Sequence, residues 1–121
     1  MLQHATLEVR RDDVDACVAF FELLGFNRLE PPPGVAEIAT WVGREGTHIH
    51  FLYTEAPVVP PLAHAAVVVE DYDAALAVMR ETGHGLREQP EYWGTRRAFV
   101  RMPTGHVVEL METAPQSDTA D

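Results

Sequence analysis

The chain has little cysteine and no long apolar run, and both absences narrow its class. Cys17 is the only cysteine among 121 residues, so an internal disulfide is excluded and a reducing compartment is expected. Its place in a helical pattern favours a buried thiol over a nucleophile. No apolar stretch approaches the roughly 18 residues of a membrane span, and the N-terminus lacks the apolar segment of a secretory signal. The sequence therefore predicts a cytoplasmic protein without membrane association.

Basic residues are also scarce. Nine lysines and arginines stand against nineteen acidic residues, which gives a net charge of −10. Nucleic-acid-binding surfaces need a basic footprint, so this class of partner is not expected. The apolar fraction of 46% is typical of a globular domain.

An internal duplication organises the chain. The stretch LQHATLEV at residues 2–9 is matched 60 positions later by LAHAAVVV at residues 62–69. Each stretch alternates as a strand and carries a histidine near its start. Two pairs of turn glycines lie at nearly the same offset: Gly25 with Gly83, and Gly46 with Gly105. The sequence therefore predicts two copies of one unit with the order strand, helix, strand, strand, strand.

Local patterns place the elements of each unit. The first unit is expected to form strands at 2–9, 26–30, 35–42 and 47–53, with a helix from Asp12 or Asp13 to Gly25. The second is expected to form strands at 62–69, 85–88, 96–102 and 106–112, with a helix from Asp71 or Asp73 to Gly83. The predicted fold is α+β: two tandem βαβββ modules form a cupped mixed β-sheet with the helices outside. Module one spans 1–54, a linker 55–61, module two 62–113 and a flexible tail 114–121.

Metal-binding residue types fall on the predicted inner face of the cup. Strand alternation places apolar residues on the helix side, so residues of the opposite parity line the cup. These include His4 and His64 on the first strands, and His50 and Glu109 on the last strands. Three imidazoles and a carboxylate can bind a divalent ion (Fe, Zn, Ni or Mn) and leave positions for a substrate. His48 shares the face of His50 and is the competing ligand, although the register of the repeat favours His50.

Glu109 stands out because it lies between Val108 and Leu110 in an apolar run. A charge there costs several kcal/mol unless it is paired or bound to a metal. The alternative to a metal is a salt bridge, for example to an arginine on the neighbouring strand. As a ligand that detaches during turnover, Glu109 is also the candidate catalytic base.

The paired units resemble the vicinal oxygen chelate superfamily over about residues 2–113. The resemblance is carried by the strand starts HATLEV and HAAVVV, the helix end LLGF and the closing run RAFVRMPTGHVVELME. This superfamily contains glyoxalase I, bleomycin- and fosfomycin-resistance proteins, methylmalonyl-CoA epimerase and extradiol dioxygenases. The resemblance implies metal ligands on the first and last strands of each unit, at His4, His50, His64 and Glu109. It also implies a homodimer, with modules that pair within one chain or across the dimer.

Two positions depart from glyoxalase I within this resemblance. His50 stands where that enzyme usually has a glutamate, and Glu8 stands where it has an arginine that helps to hold glutathione. Both departures argue against a glutathione-linked glyoxalase.

Further residues are candidates for the wall of a substrate pocket. Thr6 and Glu8 share the parity of His4, and Trp93 lies with Tyr92 in the loop before the seventh strand. Trp41 is assigned to the core instead. Three arginines form either a local positive patch or solvated surface, since the parity of their strand is not determined: Arg96, Arg97 and Arg101.

These features predict a divalent-metal-dependent enzyme acting on a small molecule chelated through adjacent oxygens. The reaction would be an isomerase or lyase step, or a dioxygenase step. The alternative is a non-catalytic protein of bleomycin-resistance type that sequesters a small molecule, and the acidic composition would suit a cationic one.

Overall fold

The computed structural model describes residues 1–114, and within them the chain divides into two compact units. The first is Met1–Val59 and the second begins at Pro60. Each unit contains a four-stranded mixed sheet and an α-helix, so the predicted α+β class with two βαβββ modules is confirmed. The predicted tail lies outside the described residues, apart from Ala114. No helix within residues 1–114 is long and apolar enough to cross a membrane.

The first unit has the strand order β1-β4-β3-β2, with β1 parallel to β4 and the other pairs antiparallel. A 3-10 turn at Arg11–Asp13 leads into the helix. The elements are β1 (His4–Val9), α1 (Val14–Glu22), β2 (Asn27–Leu29), β3 (Ala39–Arg44) and β4 (Thr47–Tyr53).

The core of the first unit lies on the face of the sheet that α1 covers. The ring of Phe21 in α1 lies 5.8 Å from that of Phe51 in β4 and 5.3 Å from that of Phe26. Val42 and Ile49 are register partners and are buried. Burying each such side chain contributes about 1.5–3 kcal/mol. The opposite parity therefore leaves the histidines of β1 and β4 on the other face.

The second unit repeats this topology with the order β5-β8-β7-β6, and β5 is parallel to β8. Its elements are β5 (Ala65–Val68), α2 (Tyr72–Thr82), β6 (Arg87–Gln89), β7 (Arg97–Arg101) and β8 (Val107–Met111).

The two helices begin differently. The Asp71 carboxylate accepts a hydrogen bond from the Ala74 backbone N–H at 3.1 Å, and Gly83 ends α2 in the left-handed region at φ 76°. Both ends of α2 are therefore as predicted. Asp13 occupies the N-cap position of α1, but its side chain makes no capping hydrogen bond.

Most strand boundaries differ from the prediction by one or more residues, and the largest differences are in β3 and β5. β3 begins at Ala39 and not at residue 35, because backbone bonds such as Ala39 N–H to the Val35 carbonyl close a turn there. β3 also extends to Arg44, so the four residues 43–46 between the two predicted strands shorten to a two-residue turn, Glu45–Gly46. Both residues have positive φ, as a type I′ hairpin turn requires. β5 begins at Ala65, and His64 therefore lies just before the strand.

Candidate functional site

The first unit carries a stack of three rings on the face opposite α1. The His50 ring lies between the Trp41 ring, at 4.1 Å and 7°, and the His4 ring, at 4.2 Å and 18°. Trp41 is the register partner of His50 in β3, and His4 lies on the diagonal in β1. Trp41, for which the core was preferred over the pocket, is half-buried and packs on a predicted ligand.

The contact with Gln3 determines which nitrogen of the neutral His4 ring carries the proton. The Gln3 side-chain N–H donates to the Gly46 carbonyl at 3.3 Å, which turns the Gln3 Oε1 acceptor toward His4. His4 Nδ1–H donates to this Oε1 at 2.7 Å. The neutral ring then has an unprotonated Nε2. An oxygen acceptor on one ring nitrogen is the usual arrangement of a metal-binding histidine.

His48 and His50 share a contact that leaves the choice between them open. His48 Nδ1 lies 3.2 Å from His50 Nε2, so one N–H donates to the other nitrogen. Burial, with the added repulsion of His4 and His48, lowers the pKa of His50 to about 4. His50 is therefore neutral at pH 7, the state in which imidazole binds metals. His48 competes for the same Nε2 atom.

In the second unit, Glu109 and His64 meet on the equivalent diagonal. Glu109 is 5% exposed and is flanked in register by Ala66 of β5 and Phe99 of β7. His64 Nε2 lies 3.0 Å from Glu109 Oε1. Two predicted ligands of this unit are thus brought together.

This contact requires a cation or a second proton. His64 Nδ1 lies 2.8 Å from the Leu62 carbonyl, which only accepts, so Nδ1 carries a proton. With a single proton on the ring, the Nε2 lone pair would face the carboxylate oxygen. Two ligands at right angles around a cation, each about 2.1 Å from it, lie about 3.0 Å apart. The spacing and the donor types of His64 and Glu109 therefore fit a divalent ion.

Arg97 occupies the other oxygen of the same carboxylate. Its Nη1–H donates to Glu109 Oε2 at 3.2 Å, and its Nε–H donates to the Pro90 carbonyl at 2.9 Å. The salt bridge to an arginine on the neighbouring strand, the alternative for Glu109, is therefore present beside the His64 contact. Arg97 could not be distinguished from Arg96 and Arg101 in the sequence, because the parity of their predicted strand was undetermined.

Arg96, which directly precedes β7, and Arg101, at the end of β7, make other contacts. Arg96 donates to the carboxylates of Asp73 and Glu112, and these charge-assisted hydrogen bonds lower the pKa of both acids. Arg101 donates to the Gly105 carbonyl at 3.0 Å in an exposed position.

The predicted pocket residues have distinct surroundings. Thr6 is exposed and is the register partner of His50 in β1. The Glu8 carboxylate accepts a hydrogen bond from the Val58 backbone N–H at 3.0 Å, which ties it to its own unit. Trp93 is 38% exposed, and its ring centre lies 4.7 Å from the Arg97 guanidinium carbon.

In the part of the chain that the structure describes, no three histidine, cysteine, aspartate or glutamate side chains form a group that could hold a metal ion. Within the first unit His4 lies against His50, and within the second unit His64 lies against Glu109.

Comparison with known proteins places this fold. Residues 2–110 match the family model of the Glyoxalase/Bleomycin resistance protein/Dioxygenase superfamily. Among solved structures, a glyoxalase family protein from Bacillus anthracis has a TM-score of 0.83 at 18% identity, covering 92% of this chain and 93% of that one. Fosfomycin resistance protein FosX from Listeria monocytogenes has a TM-score of 0.72 at 17% identity, covering 92% and 91%. Lactoylglutathione lyase from Agrobacterium tumefaciens has a TM-score of 0.67 at 16% identity, covering 92% of each chain. The TM-scores establish a shared fold, and at these identities they show the fold alone. No curated protein matches the chain.

Proposed function

Because this chain belongs to the glyoxalase/bleomycin resistance protein/dioxygenase superfamily, we propose that it is a divalent-metal-dependent enzyme. Its substrate is a small molecule that presents two adjacent oxygens. The proposed ligands are His4, His50, His64 and Glu109. When bound, the ion supplies Lewis acidity to the substrate oxygens in an isomerase or lyase step, or in a dioxygenase step.

The contact between His64 and Glu109 carries this proposal. Its 3.0 Å spacing suits two ligands of one ion, and the Leu62 carbonyl holds the proton on the far side of the imidazole. The salt bridge to Arg97 compensates the buried Glu109 carboxylate through Oε2, and it leaves Oε1 for a second cation. A divalent ion would explain why the His64 ring is directed at Oε1.

The first unit adds support of the same kind. His4 holds its proton toward Gln3, and His50 is neutral at pH 7 because its pKa is lowered to about 4. His50 is therefore in the form that binds a metal without first losing a proton, and the Gln3 contact directs Nε2 of the neutral His4 ring away from Gln3.

Glu109 is the proposed catalytic base. Arg97 holds Oε2, so the proton taken from a substrate would be accepted at Oε1, the atom beside His64. Thr6, Glu8 and Trp93 remain the proposed pocket residues.

Elemental analysis of protein purified without a histidine tag tests the metal. We expect about one divalent ion per chain in the wild type, and its loss in both Glu109→Ala and His64→Ala. His84→Ala is the matched control, because His84 Nδ1 lies 3.0 Å from the Arg101 carbonyl, away from Glu109. Iron would favour dioxygenase chemistry, and nickel, zinc or manganese would favour an isomerase or lyase. A wild type without metal, even after reconstitution, would overturn the proposal.

Sequestration of a small molecule is the second candidate function. It is favoured by the two aromatic side chains of one loop, Tyr92 and Trp93, which are 71% and 38% exposed. A sequestering protein would bind its ligand stoichiometrically after chelation of metals and without turnover. Sedimentation analysis would test the homodimer that accompanies either function.

A further inference from the structure

Arg97 is a buried cation that the first unit does not have at the corresponding place. It pairs with Met111, two residues after Glu109 on β8. In the first sheet, Ala39 pairs with Leu52, two residues after His50 on β4. The duplicated architecture alone therefore does not account for a guanidinium beside the carboxylate.

The guanidinium of Arg97 is held from several sides. Besides its bonds to Pro90 and Glu109, its central carbon lies 4.7 Å from the ring centre of Trp93, 5.4 Å from that of Tyr92 and 5.8 Å from that of Phe99. Cation–π contacts and two hydrogen bonds fix the plane of the group. A ligand that binds it would therefore pay little of the usual ordering cost.

Part of this guanidinium has no partner in the part of the chain that the structure describes. The Nε and Nη1 atoms donate to Pro90 and Glu109, whereas Nη2 donates to no residue among 1–114. The rings of Trp93 and Tyr92 beside the guanidinium are 38% and 71% exposed, so the group lies next to accessible surface. An unused pair of N–H donors on a fixed cation is suited to a carboxylate oxygen.

We propose that Arg97 is the anion-binding residue of this site, and that the ligand is a small carboxylate with an aromatic or apolar body. The carboxylate binds at Nη2, and the body packs on the exposed rings of Trp93 and Tyr92. This assignment rests on the proposed function, because it names the substrate class of the same site.

Calorimetric titration with benzoate and with benzamide, its uncharged analogue, tests the assignment. Both titrations are made in EDTA, so that no metal contributes. We expect the wild type to bind benzoate at least about tenfold more tightly than benzamide, as one charge-assisted hydrogen bond would provide. Arg97→Gln should lose this preference. Arg101→Gln removes the same charge from an exposed position on the same strand and should keep it.

Two further variants keep the test decisive. Arg97→Lys retains the charge without the planar donor pair and should show an intermediate preference, which can be measured if Arg97→Gln does not fold. Trp93→Ala should weaken benzoate and benzamide by the same factor, because it removes packing and no charge.

The results separate this inference from the metal proposal. Equal binding of benzoate and benzamide by the wild type, no binding of either, or a preference that survives in Arg97→Gln would each overturn the role of Arg97. A wild type that holds its metal but shows no benzoate preference overturns this inference alone. A benzoate preference in protein that never takes up metal supports Arg97 and overturns the metal.

Discussion

Replacing Glu109 by alanine is expected to destabilise the fold by about 3–5 kcal/mol, because it leaves the Arg97 guanidinium buried without its counter-charge. The side chains of Arg97 and Glu109 are 8% and 6% exposed, respectively, so water cannot replace the lost carboxylate. The direct Nη1–Oε2 contact of 3.2 Å disappears at the same time. The size of the effect thus follows from burial of the remaining charge more than from the strength of the bond.

The double variant Glu109→Ala with Arg97→Met separates these two contributions. It leaves neither charge buried, so most of the loss should be recovered and the two single effects should not add. Glu88→Ala is the comparison for an ordinary ion pair. Arg80 and Glu88 lie 3.3 Å apart with both side chains 57% exposed, and this change should cost less than about 1 kcal/mol.

Urea unfolding followed by circular dichroism at pH 7 measures these changes. EDTA is included, because a bound metal would stabilise the folded state and hide part of the effect. For a chain of this length, a loss of 3–5 kcal/mol corresponds to a fall in melting temperature of about 10–20 °C. A Glu109→Ala variant as stable as Glu88→Ala, or additive effects in the double variant, would refute the assignment of a buried, interacting pair.

Two other predictions concern His50 and the helix caps. The pKa of His50 is lowered to about 4 in the folded state, whereas in the unfolded chain it is near 6.5. The folded state is therefore favoured by the neutral ring, and this contribution to stability is complete above pH 6.5. This contribution should be lost as the pH falls from 6.5 through 4. An NMR titration in EDTA should give the low pKa, and His50→Gln should flatten the pH dependence of stability in that window; an ordinary titration near 6.5 would contradict the burial argument. Asp71→Ala should cost about 1 kcal/mol in urea unfolding, because Asp71 caps α2, whereas Asp13→Ala should cost much less, because Asp13 makes no capping bond. Equal losses would contradict the cap assignment.

The order of elements was predictable because the same βαβββ unit occurs twice in the sequence. Period-two alternation and the matched glycines located all eight strands and both helices, with β4 correct to the residue. The errors lie at strand ends, as with Ala39 and Ala65, where a strand begins only once its neighbour is in register. That pairing partner is not visible in the local pattern.

Some side chains of the proposed site could be placed from the sequence, whereas others could be placed only from the folded structure. Residue type and parity alone placed His4 and His50 on one face, and Glu109 opposite the buried apolar face of β8. The stacking of Trp41 on His50 required the register of β3 against β4. That register joins residues far apart in the chain, and no spacing within one strand reveals it.

Alternation within a strand is a local property of the chain, and it determined the repeated βαβββ plan and the residue types available for chemistry. The partner of each polar group is a property of folded neighbours. The sequence alone does not distinguish Arg97 from the two arginines near it. The pairing of β7 with β8 places Arg97 beside Glu109, whereas Arg96 binds Asp73 and Glu112. A one-residue change of register would exchange these faces, so only strand pairing in three dimensions assigns the buried cation.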